Sequence, residues 1–188
     1  MTTKPNDRNA DIVLAATVIA MGLVAGLYFF SAVAVMPALT AADDRTLVDA
    51  MQQMIVKIEN PVFFLVFLGA PVLAAVALSQ ARRSGSPEIA GWIVAGLALY
   101  AVMVVITFAV HVPLNEDLKD AGDPARIDNL AAVRDDFVTP WVAWDIVRTL
   151  VSTAAFGALA WALVLRGRAV SAAGPPSSRG ASPARSAA

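Results

Sequence analysis

The chain has 188 residues, of which 58% are hydrophobic and 15% charged, with a formal charge of −1, one histidine and no cysteine. Average soluble domains carry roughly 45–50% apolar and about 25% charged residues, so this composition excludes an ordinary soluble domain. Without cysteine there is no disulfide, thiolate metal site or cysteine nucleophile, and a near-neutral chain with no basic face outside its tail excludes nucleic acid as a partner.

In chain order, the first stretch free of Asp, Glu, Lys and Arg runs from Ile12 to Ala42. Crossing a hydrocarbon core takes about 20 apolar residues, so a first span is expected over residues 12–36, after a polar N-terminal segment 1–11. It does not read as a cleaved signal peptide. Lys4 and Arg8 are offset by Asp7 and Asp11, and the apolar run exceeds an h-region of about 7–15 residues. Gly22 and Gly26 form a GxxxG spacing of the kind that lets helices approach.

Next, RTLVDAMQQMIVKI, Arg45 to Ile58, places Leu47, Met51, Met54, Ile55 and Ile58 at helical spacing. An amphipathic helix at the outer membrane interface is expected there, running into a second span over 60–81 with a kink at Pro61. A third span follows over 89–111. The loop Glu116 to Asp136 is acidic, with a turn at Ala121-Gly122-Asp123-Pro124 and helix resuming around Ala125. Thr149 to Leu165 is too short alone, so the fourth span is placed at 142–165 and takes in Asp145 and Arg148. On it, Ala154, Gly157, Ala158 and Trp161 set small residues beside a large one. Residues 12–168 thus form one transmembrane domain, and 169–188, rich in Pro, Gly, Ser and Ala, read as a disordered cytoplasmic tail.

The expected fold is all-α, an integral membrane four-helix bundle. Its orientation follows from the basic residues in the loops. The N-terminal segment, the second loop and the tail carry eight Lys or Arg against three acids, whereas the opposite side carries six against twelve. Both termini are therefore expected in the cytoplasm, in a multi-pass protein of the cell membrane.

Depth can be counted along each span. Starting from Arg82, Glu88 and Arg166 at the inner boundary, about 20 residues at 1.5 Å each reach the outer boundary near Val62, Phe108 and Trp144. Glu59, Asn60, His111, Asn115, Asp145 and Arg148 then share one outer layer. From Ile12 the same count brings Tyr28 and Ser31 close to it, with Gln52, Gln53 and Lys57 placed to cap it. Ionisable residues inside a membrane point to function by default. Two readings stand for Asp145 and Arg148: an i, i+3 bridge that neutralises both, or a small polar pocket with His111 and Asn115 in which Asp145 orients the guanidinium. His111 is equally open to two readings, an interfacial histidine bonded to water and a proton-transfer residue. Trp141 and Trp144 have an ordinary role as interface anchors, as does Trp92 toward the other side. One imidazole with scattered carboxylates is a thin set for zinc or iron, and haem on His111 with Met36 or Met54 is the weaker option, so no metal or cofactor is expected. No nucleophile elbow, phosphate loop, dinucleotide fingerprint or zinc-protease pattern is present.

Several short pieces in this order carry a resemblance: Phe30 with Met36-Pro37-Ala38-Leu39, Met51-Gln52, Asn60-Pro61, Pro113-Leu114-Asn115, then Trp141, Trp144 and Arg148. From Ala15 to Leu165 the sequence resembles the anthrone oxygenase-like family of small four-helix membrane proteins, a domain of unknown function in most members. The resemblance implies that some members oxidise an anthrone carbon to a quinone with dioxygen, without metal or flavin, in polyketide pathways.

Such chemistry needs a base, a group to stabilise an enolate-like anion and an apolar pocket for a flat ring. Here His111 is cast as the base, Arg148 and Asn115 as anion stabilisers, and Tyr28, Phe30, Asn60, Trp141, Trp144 and Asp145 as substrate contacts. The competing class is a non-enzymatic membrane protein that binds a lipid-like or quinone-like molecule, or a partner subunit, with the same layer. A transporter ranks third, because transporter sites lie near the midplane. Membrane lipid and a hydrophobic small molecule are the expected partners, with a homo-oligomer left open.

Overall fold

A computed structural model describes residues 5–172, and all regular structure within them is helical. Four helical segments are long and apolar enough to cross a membrane: Arg8–Thr40, Pro61–Arg83, Pro87–Asp120 and Leu130–Ala172. The protein is a multi-pass membrane protein. The elements are α1 (Pro5–Phe30), α2 (Met36–Thr40), α3 (Asp44–Ile58), α4 (Pro61–Arg83), α5 (Pro87–Ile106), α6 (Val112–Asp120) and α7 (Leu130–Ala172). The first span is α1 and α2 joined through a π-turn at Ser31–Val35, and the third is α5 and α6 joined through another at Thr107–His111.

Each π-turn is followed by the same local sequence, one residue and then a proline, Met36-Pro37 and Val112-Pro113. A proline inside a helix has no N–H to donate and its ring clashes with the carbonyl four residues back. Widening the preceding turn to i→i+5 relieves that clash. The Met36 N–H accordingly reaches the Ser31 carbonyl and the Val112 N–H the Thr107 carbonyl. Pro71, inside α4, is handled differently. It leaves the Phe67 carbonyl without its helical donor, and the Tyr100 hydroxyl of α5 donates to that oxygen across the helix pair.

The spans pack as a ring in chain order, α1 against α4, α4 against α5, α5 against α7, and α7 back against α1, the arrangement short connections favour. The connection between α4 and α5 closes at Gly85, whose φ of 66° is the left-handed value that ends a helix at low cost for glycine. The bundle core contains Met21, Val24, Ile93, Met103 and Leu159, with an alanine face on α4 at Ala70, Ala74 and Ala77. Large apolar residues such as Leu23, Leu65, Val105 and Leu150 point outward, so the helices are apolar all round, as lipid requires.

Close approach comes from only some of the small residues that the sequence pattern singles out, and from Gly96 besides. A Cβ on Gly96 of α5 would stand 2.8 Å from Leu159 Cγ, and one on Gly22 would stand 3.1 Å from the Phe156 ring, whereas Gly26 and Gly157 face open space. On α7 the packed face is Ser152, Ala155, Ala158, Leu159 and Ala162, so of the expected set Ala158 packs inward while Ala154 and Trp161 are turned outward.

Beyond the ring, α2, α3, α6 and the first turns of α7 form a cap with its own core of Met36, Leu47, Val48, Met51, Ile55, Leu118, Phe137 and Trp141. Helix α3 precedes the second span as expected, but its buried face is spent on α6 and α7, and Met54 and Ile58 are exposed. Asp43 starts it. Its carboxylate accepts from the Thr46 hydroxyl at 2.7 Å and the Thr46 N–H at 3.0 Å, and these bonds hold its pKa below the usual aspartate value. Arg134 of α7 ties the cap together by donating to the Thr40 carbonyl at 2.6 Å, the Ala42 carbonyl at 3.2 Å and the Asp44 carboxylate at 2.5 Å.

Three boundaries differ from expectation. The chain breaks at Glu59-Asn60 instead of kinking at Pro61, because the Asn60 side chain accepts from the Val62 and Phe63 N–H groups and Pro61 opens a new helix. The third loop turns at Gly122, φ 83°, but helix resumes at Leu130, not Ala125. The Asp123 side chain holds the Ala125 N–H in a turn, and Asn129 supplies the cap that starts α7 by accepting from Ala132. That helix runs on to Ala172, while the rest of the Pro-, Gly- and Ser-rich tail lies outside the described residues.

Candidate functional site

Several of the polar side chains expected in one layer converge where the ring meets the cap. Tyr28 comes from the end of α1, Ser31 from the first π-turn, His111 from the second, and Trp141, Asp145 and Arg148 from successive turns of α7. Asp145 and Arg148 are 1% and 6% exposed, and His111 is 1% exposed. Burial this deep is expensive for charged groups unless each is paired and hydrogen-bonded.

Asp145 is fully engaged. One oxygen accepts from Arg148 Nη2 at 2.7 Å, and the other accepts from the Ser31 hydroxyl at 3.0 Å. Arg148 lies over the Tyr28 ring at 4.1 Å and within 5.7 Å of the Trp141 ring, so aromatic faces take up part of its desolvation. The i, i+3 bridge between Asp145 and Arg148 is thus formed, within a closely buried cluster. Thr149 Oγ1 donates to the Tyr28 carbonyl at 3.1 Å and fastens the end of α1 to α7.

His111 meets Trp141 edge-on, with centroids 5.2 Å apart and planes at 82°. Trp141 is fixed by donating its Nε1–H to Asn115 Oδ1 at 3.1 Å. The imidazole itself is not fixed in this way. The Ile106 and Trp141 carbonyls lie near it, yet neither ring nitrogen makes a hydrogen bond, and Arg148 Nε is likewise without one. Buried polar atoms left without partners are rare, and each calls for an explanation.

The cluster thus unites Tyr28, His111, Trp141, Asp145 and Arg148, with Asn115 behind Trp141. Phe30 and Trp144 do not join it. They are 60% and 41% exposed, on the outward faces of their helices. Asn60 caps α4, and Gln52 donates to the Leu118 and Gly122 carbonyls, closing the end of α6 instead of capping the polar layer. Thr149 and the two π-turns escaped sequence reasoning. The repeated X-Pro after each turn was the available signal for the latter.

What the cluster offers chemically is an unengaged imidazole able to accept a proton, a guanidinium with donor capacity left, and two aromatic rings. The model of the anthrone oxygenase family matches residues 62–158, just over half of the chain. The matched segment contains His111, Asn115, Trp141, Asp145 and Arg148, and Tyr28 and Ser31 precede it. No curated protein and no solved structure matches the chain.

Proposed function

The chain belongs to the anthrone oxygenase family, and on that premise we propose that it oxidises a flat, hydrophobic, anthrone-like substrate with dioxygen at the cluster around His111 and Arg148. The observation that carries this reading is the pair of unsatisfied groups, the His111 ring nitrogens and Arg148 Nε, both buried beside the Trp141 ring. A substrate that presents an acidic C–H to the imidazole and an oxygen to the guanidinium would satisfy both.

In this reading His111 removes a proton from the ring methylene, and the electron pair spreads onto the ring oxygen, which Arg148 stabilises. Dioxygen takes electrons from the carbanion and bonds to that carbon as a peroxide. Loss of the second C–H proton with cleavage of the O–O bond leaves a carbonyl and releases water. The balance is one CH2 and one O2 to one C=O and one H2O. Asp145, itself held by the Ser31 hydroxyl, holds the guanidinium, and Tyr28 and Trp141 supply apolar walls.

The test is oxygen uptake by the purified protein in detergent with a simple anthrone, corrected for spontaneous oxidation. Wild type is compared with His111→Gln and Arg148→Lys, each checked for folding by thermal melting. Uptake that falls in both variants while the melts persist is the expected result. Uptake no greater than background in wild type would move the weight to binding of a quinone-like or lipid-like molecule.

A further inference from the structure

At the other end of the bundle, about 30 Å from Asp145 by the rise of α7, the helix ends enclose a cavity of about 360 Å³. That lies in the range of roughly 300–1,000 Å³ usual for small-ligand sites. Its polar lining is Asn9, Gln80, Arg83, Ser84 and Arg166, over an apolar floor that includes Leu14 and Ile93. Gln80 Oε1 is buried there without a hydrogen-bond partner. Arg166 is engaged by Asp11 at 2.8 Å, whereas Arg83 has no ion-pair partner among the described residues.

The cavity sits where α4 ends in Arg82-Arg83 and α5 begins, at the boundary between apolar helix and polar connection, the level of lipid headgroups. Basic pockets between helix ends at this level suit anionic lipid. We propose that it binds the headgroup of an anionic glycerophospholipid, with the phosphodiester against Arg83 and a headgroup hydroxyl donating to Gln80 Oε1. A hydroxyl gives the buried oxygen the donor it lacks, and the apolar floor accepts the start of the acyl chains.

The test uses the full-length protein in a neutral detergent, supplied with phosphatidylglycerol or phosphatidylcholine at equal mole fraction. Retained lipid is counted by native mass spectrometry and the thermal midpoint is followed in parallel. Phosphatidylglycerol is expected to be retained in preference and to raise the midpoint. Arg83→Ala and Gln80→Leu should each weaken retention about tenfold, the loss of one hydrogen bond to a charged or buried group. Arg83→Lys should keep most of it, and Arg126→Ala, in the connection between α6 and α7, should match wild type. Equal retention of the two lipids, or retention indifferent to Arg83 and Gln80, would overturn the proposal. So would glycerol 1-phosphate raising the midpoint as far as the lipid does, since the ligand would then be a soluble phosphoester. Both positions lie far from His111, so the outcome is independent of the oxygenase test.

Discussion

A histidine kept for packing and one kept for chemistry respond differently to removal. Each buried polar atom without a partner costs about 1–3 kcal/mol, and His111 has two such nitrogens at 1% exposure. Replacing it by leucine removes that cost while keeping most of its contact with Trp141. His111→Leu should therefore melt at or above the wild-type midpoint, yet lose anthrone-dependent oxygen uptake by about 10²–10⁴, the usual contribution of general base catalysis. A lower midpoint with unchanged uptake would make the histidine structural. The sequence placed His111, Asp145, Arg148, Tyr28 and Ser31 at one depth because depth needs only the rise per residue. It could not say which way a residue faces on a helix that is apolar all round, and that is why Phe30 and Trp144, at the right depth, are turned outward.

At the level of the helix, two proline devices shape the third span and its neighbours. Pro71 orphans the Phe67 carbonyl and Tyr100 supplies the donor, so Tyr100→Phe should destabilise by about 1–3 kcal/mol, the cost of a buried acceptor left unpaired. Pro71→Ala restores the helical donor, and in that background Tyr100→Phe should cost much less. A thermal-melt double-mutant cycle measures the difference, and additive losses would refute the coupling.

The π-turn before Pro113 controls phase. In an α-helix, residues five apart are well off one another's face at about 100° per residue, yet Ile106 and His111 are both buried, because the i→i+5 turn brings them round. Deleting Ala109 would return the turn to α-helix with α5 and α6 still in register. Deleting Ala101, a regular helical residue, would rotate His111 and the cap by about 100°. The first variant should fold with His111 in place and keep uptake, and the second should lose both the melt and the activity. Equal damage from the two would show that the turn has no such role. Periodicity analysis assumes one period along a helix, so it finds a span here, which continues past the expected 111 to Asp120, but not its change of face.

For the whole molecule, the bundle core and the cap core are separate clusters, and the candidate site lies between them. The four spans were legible because uncharged runs of this length have few other uses. The cap was not, because α3 looks alike in sequence whether its apolar face meets lipid or α6 and α7. Where the site lies relative to the cell then depends on orientation. By sequence, the N-terminal segment, the connection between α4 and α5 and the segment after Leu165 carry eight Lys and Arg against three acids, and the intervening segments carry twelve acids against six basic residues. If basic loops are retained in the cytoplasm, the cap and the His111 cluster are expected on the outer side, and the Gln80 and Arg83 cavity at the inner leaflet. A reporter fused after Arg168 should read cytoplasmic, and one inserted at Gly122, the exposed turn between α6 and α7, should read external. Reversed readouts would turn the molecule over. A substrate made in the cytoplasm would then meet the site directly, whereas in the expected orientation it must arrive through the bilayer, and the apolar faces around the cluster are suited to that route.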